Sequence, residues 1–236
     1  MRRADPDVIF PGDGGTSLPF IAPDGTVVEI LRPFVSAARI ERIERVLASR
    51  TGSVAVVLDR IHDPHNGGAV LRSCDAFGIQ EILAVEKDEP FAVARRASSG
   101  AHKWLDVRRF RDPVACLAAI RSRDLDLYVA EPGGDTALGD LRDRLAAGGR
   151  VALAFGNEHD GVAPVLRHAA RGSFRIPMSG FVESLNVSVA VGVSLHAVRS
   201  GVPGDLADED RQRLRARFYR QTVREADAIV LERIRS

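Results

Sequence analysis

The sequence predicts an α/β fold, a mostly parallel β-sheet with helices on both faces. From residue 54 onward, apolar runs typical of buried strands alternate with helical patterns, as in parallel sheets. Polar, glycine-containing loops follow three of these strands, where open parallel sheets place ligand sites. The 236 residues are 45% hydrophobic and 28% charged, which is typical of a globular chain that buries a sizeable core.

The N-terminal part divides into two predicted segments. Residues 1–33 are rich in glycine, proline and aspartate, which predicts an extended arm. Residues 36–50 are predicted to form an amphipathic helix with a basic side. Its apolar residues at helical spacing are Ile40, Ile43, Val46 and Leu47.

The regular part of the chain predicts six strands and four helices. The strands are expected near residues 54–58, 81–85, 104–107, 125–130, 151–155 and 173–176. The helices are expected near residues 68–77, 113–122, 162–170 and 184–200. After a break at residues 201–204, one or two helices are predicted over residues 206–234, with a buried stripe of Val223, Ala226, Ile229, Val230 and Ile234.

The net charge leaves the kind of partner open, whereas the cysteines and the apolar runs disfavour some classes of protein. The net charge of +1 neither requires nor excludes a nucleic-acid partner, because local clusters bind phosphate. Cys74 and Cys116 lie inside apolar helical patterns, which indicates reduced thiols and neither a disulfide nor a metal site. We expect no signal peptide and no membrane span, because no run of 18 apolar residues occurs.

The first polar loop follows the strand at residues 54–58 and reads Asp-Pro-His-Asn-Gly-Gly. Asn66 supplies an amide that both donates and accepts hydrogen bonds, and the two glycines allow close backbone approach. Arg72 follows on the next helix among apolar neighbours, so its guanidinium needs an anionic partner. That partner is either Asp75 or Asp59 of this chain or a phosphate of a ligand.

The second and third loops have the same strand, loop and helix design. Residues 155–161 read Phe-Gly-Asn-Glu-His-Asp-Gly and hold Glu158 at the end of an apolar strand. Residues 176–190 pass through a glycine loop to Ser184, which is a candidate N-cap of the helix that follows. Each loop taken alone is a weak signal. Three such loops in this order are rare by chance.

Two other site types are disfavoured. A nicotinamide or flavin site needs a Gly-x-Gly-x-x-Gly turn directly after a strand, and residues 12–15 follow no strand. His62 and His65 flank Asp63, but no second cluster completes a set of metal ligands. We therefore expect no metal site.

Together the three loops resemble the motifs of the SpoU/TrmH family, AdoMet-dependent RNA ribose 2′-O-methyltransferases of the SPOUT class. The segment Ser-Leu-Asn-Val-Ser-Val-Ala at residues 184–190 carries the strongest part of this resemblance. The resemblance implies a C-terminal trefoil knot, which periodicity alone does not predict. It divides the chain into residues 1–50 (arm and basic helix), 51–200 (SPOUT methyltransferase domain) and 201–236 (C-terminal helical extension).

The family's site residues map onto this sequence. The resemblance implies substrate handling and catalysis by Asn66, Arg72, Glu158, Ser184 and Asn186. It implies that S-adenosyl-L-methionine (AdoMet) is bound by Phe155, Gly156, Asn157, Glu158, Gly161, Ile176, Pro177, Met178, Leu185, Asn186 and Ser188. It also implies a cytoplasmic homodimer whose interface includes the helix at residues 184–200.

The substrate implied is RNA, and tRNA is favoured over rRNA. The stretch at residues 98–104 and the lack of a separate RNA-binding domain resemble tRNA-type members, so a D-loop guanosine is the favoured target. Asp63-Pro64 instead resembles the ribosomal group. A non-catalytic RNA-binding SPOUT protein is the alternative from another class. Candidate phosphate contacts are the basic side of residues 36–50 and Arg211, Arg213, Arg215, Arg217 and Arg220, for which solvated surface charge is the simpler explanation.

Overall fold

The computed structural model describes residues 8–9, 21–86, 90–157 and 160–235. Its strands are β1 (Val8–Ile9), β2 (Thr51–Asp59), β3 (Ile79–Val85), β4 (Val93–Ala94), β5 (Asp106–Phe110), β6 (Asp126–Ala130), β7 (Thr136–Ala137), β8 (Val151–Gly156) and β9 (Gly172–Arg175). Its helices are α1 (Asp24–Leu31), α2 (Ala37–Ser49), α3 (Pro64–Ala76), α4 (Arg95–Ser98), α5 (Pro113–Arg121), α6 (Leu138–Ala146), α7 (Pro164–Ala169), α8 (Val187–Arg199), α9 (Asp208–Thr222) and α10 (Ala226–Arg235). Short 3₁₀ turns lie at Arg32–Phe34 and Ala101–Lys103.

A seven-stranded sheet forms the centre of the fold, with the strand order β5-β3-β2-β8-β6-β9-β7. All of its strand pairs are parallel. The predicted α/β class with a mostly parallel sheet is confirmed. Strands β1 and β4 pair separately as a small antiparallel ribbon.

The two faces of the sheet bury different side chains of the same strand. In β2, Val54, Val56 and Leu58 pack into the core beneath α3, α6 and α8. Ala55 and Val57 point the other way, into a core with α5 and α7. This alternation follows from the two-residue period of a strand, and burial on both faces explains why β2 is an unbroken apolar run.

A third hydrophobic cluster joins helices from the N-terminal and C-terminal parts of the chain. It contains buried side chains of α1, α2, α9 and α10, among them Leu31, Leu47, Leu214 and Val230. The expectation that residues 21–33 belong to an extended arm is therefore wrong. Residues of α1 at helical spacing are buried in this cluster, and that burial stabilises a short helix that composition alone does not predict.

Several other elements differ from the prediction. Helix α6 was not predicted, although Leu138, Leu141 and Leu145 have helical spacing. Strand β5 begins two residues later than expected, because residues Ala101–Lys103 form a 3₁₀ turn. The C-terminal segment is divided into two helices near Glu225, whose φ is 54°. In the predicted stripe Ala226 and Val230 are buried and Val223 and Ile229 pack against them, but Ile234 is exposed.

The two cysteines lie inside the fold. Cys74 and Cys116 are free and buried. Burial raises the pKa of the Cys116 thiol to about 12 and raises that of Cys74 as well, so neither is a ready nucleophile. Within the described ranges, no helix has the length and apolar character needed to cross a membrane.

Gly68 marks a close contact between α3 and α4. A Cβ at this position would lie 2.8 Å from the Ala94 carbonyl oxygen and 2.7 Å from the Ala97 Cβ. We expect Gly68→Ala to lower the free energy of unfolding by roughly 1–3 kcal/mol through overpacking. The matched control is Gly139→Ala in α6, where nothing lies within 4 Å of the new Cβ. It should be neutral or stabilising by up to ~1 kcal/mol. Urea unfolding of both variants measures the difference, and equal midpoints would contradict it.

Candidate active site

The candidate site lies at the carboxyl ends of β2, β8 and β6. Strands β2 and β8 are direct neighbours, with Asp59 opposite Gly156 at their ends. Because parallel strands end at the same edge of a sheet, the first and second polar loops meet there. The third loop, between β9 and α8, reaches the same edge.

The first and third loops are joined by a hydrogen bond between two asparagines. Asp63 caps α3 by accepting from the His65 backbone N–H at 2.8 Å, which places Asn66 in the first turn. Asn186 Nδ2 donates to Asn66 Oδ1 at 3.0 Å, although the residues are 120 positions apart in sequence. The structure therefore brings these two predicted site residues together.

Asn186, and not Ser184, is the N-cap of α8. Its side-chain oxygen accepts from the Ser188 backbone N–H at 2.9 Å and from the Ser188 hydroxyl at 2.6 Å. The prediction that Ser184 caps the helix is wrong, because asparagine has an equally good capping oxygen and is closer to the apolar run. Ser184 is exposed and lines the cavity described next.

A cavity of about 240 Å³ lies between the second and third loops. Eight residues predicted at the site line it: Phe155, Gly156, Asn157, Gly161, Ile176, Met178, Ser184 and Leu185. Pro177, Asn186 and Ser188 are not in its lining, although they lie in the same loop and cap. Glu158 lies outside the described residues.

Sequence reasoning missed several residues of the cavity: Ala130, Glu131, Pro132, Phe174, Glu183, Val187 and Ala190. Ala130 ends β6, and Glu131 and Pro132 follow it, so all three lie at the same sheet edge. The alternation of strands and helices already predicts a loop after β6. The sequence does not show that β6 lies next to β8 in the sheet, and so does not place that loop at the cavity.

The second loop is closed tightly on itself. A Cβ on Gly156 would lie 2.0 Å from the Gly161 carbonyl carbon, so only glycine fits there. Gly161 has a φ of +63° and donates its backbone N–H to the Asn157 carbonyl oxygen at 3.1 Å. The Asn157 side-chain oxygen accepts from the Asp160 backbone N–H at 2.7 Å. These contacts hold the described part of the loop in a compact turn, and Gly156, Asn157 and Gly161 of that turn line the cavity.

Arg60 clamps this loop to the end of β2 and was not predicted. Its Nη1 lies 3.2 Å from Asp160 and its Nη2 donates to the Gly161 carbonyl oxygen at 3.1 Å. Its Nε donates at 3.3 Å to Asp59, which is fully buried. Arg60 has a φ of 58°, a left-handed conformation that is costly for a side chain of this size. The ion pairs hold the residue in that conformation and fix the loop.

Arg72 is exposed on α3, one turn after Gly68. The suggested pairing with Asp75 or Asp59 is wrong, because Arg50 pairs with Asp75 and Arg60 pairs with Asp59. Arg72 has no ion pair within the part of the chain that the structure describes. Because the guanidinium is exposed, water can solvate it, and contact with a phosphate of a ligand stays a prediction.

The arginines of α9 are mostly engaged within the chain. Arg217 is 5% exposed and pairs with Asp106, and it donates to the Trp104 carbonyl oxygen at 2.8 Å. Arg215 pairs with Glu44 of α2 at 2.6 Å. The expectation of open phosphate contacts is therefore wrong for Arg217. These ion pairs instead attach α9 to the sheet and to α2.

In residues 21–86, 90–157 and 160–235, no three His, Cys, Asp or Glu side chains are grouped closely enough to hold a metal ion.

Comparison with known sequences identifies relatives for most of the chain. The sequence model of the SpoU rRNA methylase family matches residues 53–196. A tRNA (guanosine(18)-2′-O)-methyltransferase of Thermus thermophilus is 35% identical over 182 residues, which are 77% of this chain and 87% of that protein. A 23S rRNA (guanosine-2′-O-)-methyltransferase RlmB of Xylella fastidiosa is 40% identical over 151 residues, which are 62% of this chain and 59% of that protein.

Solved structures with the same fold include enzymes of both kinds. The TrmH/SpoU tRNA modifying enzyme of A. aeolicus has a TM-score of 0.68 at 25% identity and covers 79% of this chain and 98% of its own. An AdoMet-bound rRNA methyltransferase from Sinorhizobium meliloti has a TM-score of 0.56 at 28% identity and covers 65% of this chain and 58% of its own.

Proposed function

This chain belongs to the SpoU methylase family, and from that membership we propose that it is an AdoMet-dependent RNA ribose 2′-O-methyltransferase. The observation that carries the proposal is the cavity between the second and third loops, together with the Asn186–Asn66 hydrogen bond that joins the third loop to the first. A D-loop guanosine of tRNA is the favoured target, in agreement with the relative from Thermus thermophilus.

The chemistry of the cavity lining suits AdoMet. Gly156 and Gly161 contribute backbone without side chains to that lining. Ala130, Phe155 and Leu185 offer apolar contacts for an adenine ring, and backbone groups of the second loop offer hydrogen bonds. When bound there, AdoMet supplies a methyl group on a positively charged sulfur. We propose that AdoMet is bound by the residues that the family resemblance implies for it, from Phe155 to Ser188.

The residues of this chain must position the ribose of the RNA for methyl transfer. A 2′-hydroxyl is a poor nucleophile, so it must be held in line with the methyl group and lose its proton. A guanidinium carries only N–H donors and no acceptor, so Arg72 is a poor base. We propose that it binds the phosphate of the target nucleotide and thereby orients the hydroxyl. Asn66, Glu158, Ser184 and Asn186 are proposed to complete the site.

Methyl transfer to defined RNAs tests this function. Labelled AdoMet is incubated with the protein and either a tRNA transcript or ribosomal RNA, and the product is mapped by nuclease digestion. We expect label on a guanosine of the tRNA D-loop. A transcript with 2′-deoxyguanosine at that position should accept none. Label only on rRNA would favour the ribosomal alternative suggested by Asp63-Pro64, and binding without transfer would indicate a non-catalytic RNA-binding protein.

We propose further that the protein is a cytoplasmic homodimer and that its C-terminal half forms a trefoil knot. Helix α8 exposes Val189 and Val193, and the loop before it exposes Phe181 fully. Such neighbouring apolar groups are typical of an interaction surface. The proposed domains remain residues 1–50, 51–200 and 201–236, with the outer two segments joined by their shared helical cluster.

The dimer is tested by sedimentation at the protein concentration used for activity. We expect a dimer for the wild type and a shift toward monomer for Val189→Arg, because a buried unpaired charge is costly. Loss of methyl transfer should accompany dissociation. Glu209→Arg, a charge change on the exposed start of α9, is the control and should remain dimeric. A fully active wild-type monomer would refute the proposal.

A further inference from the structure

Helix α4 packs directly on α3 at Gly68. A Cβ on Gly68 would lie 3.0 Å from the Ser98 backbone nitrogen. Gly68 follows Asn66 by two residues and precedes Arg72 by one helical turn. Ser98 is therefore beside the part of α3 that carries both proposed site residues.

The chain then reverses and returns to Ser98. Ser99 and Gly100 have φ values of 47° and 81°, so two successive residues are left-handed. The 3₁₀ turn Ala101–Lys103 follows, and His102 Nδ1 comes within 3.0 Å of the Ser98 hydroxyl oxygen. Because a left-handed serine is uncommon, this reversal is a specific feature of the fold.

The contacts of Ser98 determine the tautomer of His102. The Ser98 hydroxyl also lies 3.0 Å from the Arg95 carbonyl oxygen, which can only accept a hydrogen bond. The single hydroxyl proton is used there, so His102 must donate its Nδ1–H to the Ser98 oxygen. The other ring nitrogen, Nε2, therefore carries a lone pair. Nε2 has no partner within the described residues and is not among their buried unpaired atoms, so it reaches solvent.

The surroundings keep this imidazole neutral. Burial lowers the pKa of His102, and the positive charges of Lys103 and Arg95 lower it further. Both cations are exposed. The result is a neutral hydrogen-bond acceptor between two positive charges.

We propose that His102 Nε2 accepts a hydrogen bond from an N–H or O–H group of the substrate RNA, next to the nucleotide that Arg72 holds. Phosphates only accept hydrogen bonds, so they suit Arg95 and Lys103. An acceptor between these cations matches instead a donor on a base edge or a ribose hydroxyl. His102 thus contributes recognition of the nucleotide, which the cations alone do not. The inference rests on the proposed function only in taking RNA as the substrate.

Two substitutions distinguish the roles of the two ring nitrogens of His102. His102→Asn retains a donor near the Nδ1 position and removes the acceptor at Nε2. His102→Gln retains an acceptor near Nε2 and loses the anchor to Ser98. Affinity for an unmodified tRNA transcript is measured with S-adenosylhomocysteine present, so that no methyl transfer occurs. We expect His102→Asn to weaken RNA binding roughly tenfold and His102→Gln to weaken it less, with cofactor affinity unchanged in both.

The control is Lys103→Gln, which should flatten the salt dependence of RNA binding by about one unit of slope. A transcript with inosine in place of guanosine lacks the guanine 2-amino group. If His102→Asn no longer weakens binding to it, the donor is that amino group, whereas an undiminished effect points to the base N1–H, which inosine keeps, or to a ribose hydroxyl. Wild-type affinity of His102→Asn, or a larger loss of affinity for His102→Gln than for His102→Asn, would overturn the proposal. A wild-type protein that binds no RNA would refute the proposed function as well.

Discussion

Replacing Arg72 with alanine is expected to lower the rate of methyl transfer by roughly 10²-fold or more, while AdoMet affinity stays near that of the wild type. Arg72 is exposed on α3, the helix that also carries Asn66, and has no ion pair within the described chain. Its charge is therefore available to RNA. A group that orients the reacting hydroxyl contributes mainly in the transition state, so its loss lowers turnover more than binding.

Arg72→Lys should restore little of this activity. A lysine keeps the charge but cannot form the two parallel hydrogen bonds that a guanidinium gives to a phosphate. If Arg72 acted only through its positive charge, lysine would restore the activity. The comparison of the two variants thus distinguishes orientation from simple attraction.

Single-turnover transfer from labelled AdoMet to saturating tRNA measures the effect. Arg121→Ala is the matched control, because Arg121 is an exposed arginine at the end of α5, on the other face of the sheet. It should retain the wild-type rate. Near-normal transfer by Arg72→Ala would remove this residue from the mechanism and leave Glu158 or Asn66 as the next candidate.

The sheet and its loops were predictable because their signals are local. The apolar run of β2 reflects burial on both faces, and its polar end predicts a site at the sheet edge. Asn66 and Asn186 were both named from sequence, but their hydrogen bond depends on the packing of α3 beside α8. Such a long-range contact has no signature in local spacing.

Charge partners were the least predictable feature. Asp75 lies three residues from Arg72 on the same helix, yet it pairs with the buried Arg50 at the end of α2. Helical spacing identifies neighbours on one helix, but it does not identify a residue that approaches from another element. The same limitation applies to α9, whose arginines resemble a free basic surface in sequence.

Arg217→Ala is expected to lower the free energy of unfolding by roughly 3–5 kcal/mol, because it breaks a buried ion pair. Arg217 is 5% exposed, pairs with Asp106 and lies with its guanidinium 5.5 Å from the Phe218 ring. Arg213 pairs with the same Asp106 at 3.0 Å but is 45% exposed, so Arg213→Ala should cost at most ~1 kcal/mol. Urea unfolding of the two variants compares a buried and an exposed arginine on one helix.

The pH dependence of the stability difference between the wild type and Arg217→Ala gives a second test. Burial alone would raise the pKa of the Asp106 carboxyl, but the charges and hydrogen bonds of Arg217 and Arg213 together hold it below its usual value. A carboxyl whose pKa is lowered by folding stabilises the protein above about pH 4, and the contribution is lost as the pH falls through the folded-state pKa. The stability gap between wild type and Arg217→Ala should therefore narrow in acid. If Arg217→Ala is as stable as the wild type and instead flattens the salt dependence of RNA binding, Arg217 contacts RNA and not Asp106.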